Sequence, residues 1–218
     1  MTWRRQALYG AAALLFVSPI AAPQLLAFPH SGVIGQHAVY SEAPITRRLT
    51  AIVDRADALA GASPIALPQL KQPIFLTDGG WRWTWLTLTS RSAFAISRPF
   101  LETIVVNRSV QSADAVYRPA AVGGRRSLSG TLAHEMTHGA IRAHFGVLAD
   151  FRYPGELREG YCDYVAGGGS LSDRDAARLT RSDPSHPALK YWRGRREVEV
   201  RLKANRGNVD RLFADYRT

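Results

Sequence analysis

The chain has 218 residues and a formal net charge of +10, with 46% hydrophobic and 21% charged residues. That length suits one domain with a real core, and that balance excludes a disordered chain. A single cysteine, Cys162, excludes an intramolecular disulfide framework and a cysteine-rich zinc site. It reads as a small buried apolar side chain. Of the 28 Lys and Arg residues, all but Lys71, Lys190 and Lys203 are arginine. They are spread along the chain in pairs such as Arg47-Arg48, Arg125-Arg126 and Arg195-Arg196, with no long basic run interleaved with aromatics. This reads as a solvated basic surface, and no nucleic-acid partner is expected.

Arg4 and Arg5 precede an uncharged stretch from Gln6 to about Phe28. A positive segment followed by an apolar one reads as a signal peptide or a signal-anchor transmembrane helix over residues 1–28. The whole run is long enough to span a membrane, which needs ~20 residues. Its strongly apolar part, Ala7 to Ile20, is shorter, and Pro19 and Pro23 break or kink its end. Either reading exports residues 29–218, a single domain, to a membrane-anchored, periplasmic or extracellular location. The membrane is then a partner through the N-terminal segment.

Residues 29–36 read as a linker and His37 to Ser41 as a strand. Pro44 to Ala60 reads as a helix, with Ile45, Leu49, Ile52, Val53, Ala56 and Leu59 on one side. Pro73 to Thr77 reads as a strand ended by an Asp78-Gly79-Gly80 turn. Trp81, Trp83 and Trp85 alternate, which suggests a strand, with a helix over 81–88 as the alternative. Ala93–Ser97 and Thr103–Asn107 read as two further strands, hairpinned around Arg98-Pro99-Phe100. From Ser127 onward the chain reads as helical, over about 128–145, 155–166, 173–181, 187–204 and 208–216. Strands first and helices after is the α+β pattern. The expected fold is a small, mostly antiparallel sheet packed on the 128–145 helix, followed by a helical C-terminal half.

Chemistry is concentrated in Leu132-Ala-His-Glu-Met-Thr-His-Gly139, which contains HExxH from His134 to His138. Helical residues four apart differ by about 40° in direction, so both imidazoles reach one metal ion. Glu135 lies beside the first histidine, near enough to address a water at the metal without filling a ligand position. Zinc suits imidazole and carboxylate donors. Ser127 or Ser129 is placed to cap this helix, and Gly146 to end it. Leu128, Leu132, Met136 and Ala140 form one apolar column on it, so its polar residues are costly unless paired or metal-bound. Downstream, Glu159 and Asp163 share one face of a second helix.

With these residues the chain resembles the zincin metallopeptidases, specifically the gluzincin branch, over about residues 127–166. The resemblance implies a Zn²⁺ held by His134, His138 and Glu159. It also implies Asp163 as the carboxylate that orients a zinc-binding histidine. The implied activity is peptide-bond hydrolysis by a metal-activated water, with Glu135 as general base and then general acid. Peptide or protein is the implied substrate. Tyr191, His186 and Tyr164 are candidate oxyanion donors, and Thr103 to Asn107 is a candidate strand edge for the peptide. Glu156, at the start of its helix, is the rival carboxylate. His144 reads as structural, since Ile141 occupies the place where metzincins need glycine. The alternative function is a non-catalytic scaffold or binding protein on a zincin fold at the membrane.

Overall fold

The computed structural model describes residues 3–88, 90–120 and 122–216. Residues 1, 2, 217 and 218, at the ends of the two expected segments, lie outside them. Five strands, β1 (His30–Ile34), β2 (His37–Ser41), β3 (Ile74–Leu76), β4 (Ala95–Ser97) and β5 (Ile104–Val106), form a sheet of order β1-β2-β3-β5-β4. The outer pairs β1–β2 and β4–β5 are antiparallel, while β2–β3 and β3–β5 are parallel. The sheet is therefore mixed rather than mostly antiparallel. Helices α2 (Arg47–Gly61) and α3 (Trp81–Thr87) lie in the two connections that carry the chain into parallel neighbours, as parallel pairing requires. Strands β6 (Arg108–Val110), β7 (Ala115–Tyr117) and β8 (Arg125–Arg126) form a small antiparallel sheet.

Alternation along the strands divides the core. Ile74, Leu76, Ile104 and Val106 face one layer, where they meet Leu49, Ile52 and Val53 of α2 and Leu128, Leu132 and Met136 of α4 (Leu128–Phe145). Burying each such side chain contributes about 1.5–3 kcal/mol. Phe75 and Val105 face the other way, onto Trp83 and Leu86 of α3. The tryptophan segment is thus helical, because the three-residue spacing of Trp83 and Leu86 seats both on the sheet while Trp81 stays exposed. Residues 30–34, within the expected linker, form the sheet's first strand. Gly35, at φ 56°, supplies the turn into β2, a conformation that costs glycine little.

The N-terminal segment forms α1 (Trp3–Ala21), whose Leu8, Tyr9 and Leu14 are exposed. Among the described residues no helix is long and apolar enough to cross a membrane, which overturns the expected transmembrane helix. The strongly apolar part of about fourteen residues rises only ~21 Å, against a hydrocarbon core of ~30 Å.

The C-terminal half holds α5 (Ala149–Arg152), α6 (Gly155–Val165), α7 (Asp173–Ser182), α8 (Pro187–Ala204) and α9 (Val209–Ala214). Four of these match the sequence pattern, and the one-turn α5 is additional. Leu157 and Tyr161 of α6 pack with Val198 and Leu202 of α8 and Leu212 and Phe213 of α9. A Cβ on Gly160 would lie 2.6 Å from the Gly194 backbone, so α6 and α8 cross at backbone contact. The fold is α+β: a mixed five-stranded sheet and a three-stranded sheet, with nine α-helices among the described residues.

Candidate metal centre

Helix α4 is fixed firmly at its start. The Ser127 hydroxyl accepts the Gly130 N–H at 3.2 Å, and the Asp114 carboxylate accepts the Ser129 N–H at 2.8 Å. The helix then runs buried from Leu128 to Arg142, carrying His134, Glu135 and His138 inside with it. Helix α6 packs beside α4 and presents Glu159, Cys162 and Asp163.

The Glu159 carboxylate faces both imidazoles at once. Its Oε2 lies 3.2 Å from His134 Nε2, and its Oε1 lies 3.4 Å from His138 Nε2. Behind His134, Asp163 Oδ1 accepts from Nδ1 at 2.8 Å and from Arg126 Nη2 at 2.8 Å. Burial alone would lower the His134 pKa, but Asp163 and Glu159 reverse this and raise it to about 10. Burial alone would likewise raise the Glu159 pKa, yet His138 and His134 hold it well below the ordinary carboxylate value. A ring with carboxylates at both nitrogens calls for positive charge between its Nε2 and Glu159. This arrangement fits a divalent cation.

The ligand atoms of His134, His138 and Cys162 lie within 4.8 Å of one another, and all three residues are buried. This cluster could hold a metal ion. Cys162 was assigned above to packing alone. One signal in the sequence could have found it: Cys162 lies three residues after Glu159, on the same face of α6. Burial, together with the charges of Glu159, Glu135 and Asp163, pushes its thiol pKa well above the ordinary value.

A cavity of about 540 Å³ opens onto His134, His138, Glu159 and Asp163. Glu135 lines it and makes no hydrogen bond or ion pair among the described residues. Tyr191 also lines it and is exposed. His186 is not in the lining; it caps α8, its Nδ1 accepting the Ala188 N–H at 3.2 Å. Tyr164 is exposed and also outside the lining. Glu156 is exposed and pairs with Lys190 at 3.4 Å, and His144 pairs with Asp210 at 2.7 Å. The strand along the cavity is β4, at the sheet's edge, whereas the expected 103–107 segment forms the interior β5. Phe94 O and Arg98 N bond toward the β5 side, so by alternation the backbone groups of Ala95 and Ser97 face the open edge.

No family model, curated protein or solved structure matches the chain.

Proposed function

We propose that the chain is a zinc-dependent metallopeptidase. The observation that carries this reading is the Glu159 carboxylate set against His134 Nε2 and His138 Nε2, with the unpaired Glu135 beside them. Two imidazoles and a carboxylate are a zinc donor set that leaves a position for substrate. Zinc, when bound there, supplies Lewis acidity for a peptide carbonyl and for water.

The chain's own residues account for the rest. Glu135 takes the proton of the attacking water and delivers it to the leaving amine. Asp163 fixes the His134 ring through Nδ1. Tyr191 is the oxyanion donor of this reading, being the one candidate of the three that lines the cavity. The open edge of β4 offers backbone groups to an extended peptide. The positive, then apolar, N-terminal segment supports export of the body.

The test is hydrolysis of a quenched-fluorescent peptide library by the zinc-loaded full chain. Wild type should cleave, and Glu135→Gln should keep its zinc yet lose at least about 100-fold in rate. A zinc-loaded wild type that cleaves no peptide contradicts the proposal.

Cys162 favours a second reading. Four protein donors, with the thiol as the fourth, would close the site as structural zinc sites are closed. The chain would then be a non-catalytic scaffold. Cys162→Ala separates the two: a catalytic site keeps zinc and activity without the thiol, and a closed one loses affinity.

A further inference from the structure

Four arginines line the metal-side cavity: Arg118, Arg126, Arg142 and Arg158. Three are paired with carboxylates. Arg126 meets Asp163 at 2.8 Å, Arg142 meets Glu102 at 2.7 Å and Asp150 at 3.2 Å, and Arg158 meets Asp150 at 2.8 Å. Arg118 is different. Its Nε donates to Gly123 O at 3.4 Å and its Nη1 to Ser92 O at 3.1 Å, both backbone carbonyls. Among the described residues its Nη2 has no partner, and it faces no carboxylate within ion-pair distance.

The guanidinium is also held in place. Its Cζ stands 4.9 Å from the centre of the Phe94 ring, which Arg126 also approaches at 5.8 Å. Aromatic stacking and two backbone bonds fix the plane of the fork without neutralising it. Burial lowers the Arg118 pKa; Tyr191 acts to raise it and Arg126 to lower it further. The cavity's own carboxylates are already engaged. Asp150 and Asp163 pair with arginines, and Glu159 with the two histidines. Glu135 is reserved for proton transfer in the reading above. A divalent cation adds further positive charge. An anion that meets Arg118 would therefore come from outside the chain.

We propose that Arg118 is the anion-binding residue of this cavity and that the substrate is a peptide carrying a carboxylate close to the scissile bond. A planar guanidinium with a free Nη2 suits a carboxylate. The scissile bond rests on the peptidase reading; the carboxylate site does not. The carboxylate is either a free C-terminus or an Asp or Glu side chain.

Calorimetric titration separates these sources. The full chain in the Glu135→Gln background, with and without added zinc, is titrated with three probes: acetyl-Ala-Ala-Ala, acetyl-Ala-Glu-Ala-amide and acetyl-Ala-Ala-Ala-amide. At least one carboxylate probe should bind about tenfold or more tighter than the uncharged amide, and the better one names the source. Arg118→Gln should abolish that preference, while the exposed control Arg178→Gln leaves it intact. Should Arg118→Gln fail to fold, Arg118→Lys keeps the charge without the fork and should reduce the preference at least about threefold. A chain that binds all three probes alike, or none, overturns the proposal. So does a preference that survives loss of Arg118, which would mean that the carboxylate binds elsewhere, zinc included. Binding is read in a background slowed at least about 100-fold, so these outcomes are independent of whether wild type cleaves peptides.

Discussion

Asp163 Oδ1 accepts from His134 Nδ1 and from Arg126 Nη2, each at 2.8 Å. One buried oxygen thus ties the first histidine of α4 to the second sheet, where Arg126 lies in β8. With Nδ1–H donating to Asp163, Nε2 is the nitrogen that would take a cation in place of its proton. Asp163→Asn preserves the shape and removes the charge. Its zinc affinity should fall by about 10–100-fold, measured by competition with a chromogenic chelator. An affinity within twofold of wild type would show that this contact does not tune the site.

Arg142 is the buried counterpart on the same helix, one turn after His138. It pairs with Glu102 in the β4–β5 turn and with Asp150 in α5, and it also donates to Ser97 Oγ on β4. Asp150 in turn holds Arg158, the residue before Glu159. Replacing Arg142 by Met leaves two carboxylates without their shared partner, so stability should fall by about 3–5 kcal/mol in urea denaturation. A loss below about 1 kcal/mol would show the network to be a weak surface one.

Gly160 follows the proposed ligand Glu159 and rests against Gly194. A Cβ on Gly160 would lie 2.6 Å from the Gly194 carbonyl carbon and oxygen, and a Cβ on Gly194 would lie 2.7 Å from Glu156 O. These are backbone atoms, so the helices must separate. Gly160→Ala and Gly194→Ala should each cost about 1–3 kcal/mol or more in thermal or urea unfolding. Both should also weaken zinc binding, because any shift of α6 moves Glu159 relative to the two histidines of α4. Full zinc affinity in both variants would show that α8 does not position the ligand.

His37 is buried away from the candidate metal centre, with Nδ1 2.9 Å from Gln72 O and Nε2 2.9 Å from Asp57 Oδ1. Both neighbours are acceptors, which favours the doubly protonated ring. Burial lowers its pKa, but the bonds to Asp57 and Gln72 outweigh this and raise it above 6.5. A raised folded pKa means that the contribution is complete below the unfolded value near 6.5 and fades as pH climbs through the folded value. The melting temperature should therefore decline as pH rises above about 6.5, and Asp57→Asn should flatten that decline. An unchanged slope in Asp57→Asn would remove the pair from the account.

Local pattern accounts for what the sequence revealed. The bounds of α4 follow from its apolar columns, the Ser127 cap and Gly146, and its HExxH register follows from helical geometry alone. Glu159 and Asp163 were legible because a four-residue spacing puts them on one face. What escaped depended on distant partners. The edge position of β4, the parallel pairings of β3 and the strand at residues 30–34 are set by which segments meet across the sheet. Cys162 looked like packing because its nearness to two histidines needs α6 laid against α4. The tryptophan alternation misled because burial, not periodicity, selected Trp83 and Leu86. Helix α1 lies within the 1–28 segment, but its apolar part is too short to span.

Zinc content per chain, by elemental analysis of wild type and four variants, tests the central claim most directly. One zinc should be present in wild type, in Glu135→Gln and in Cys162→Ala, and absent from His138→Ala and Glu159→Ala. Zinc kept without Glu159 but lost without Cys162 would contradict the ligand set and make the thiol the third donor. A folded wild type that binds no zinc would contradict the metal centre itself.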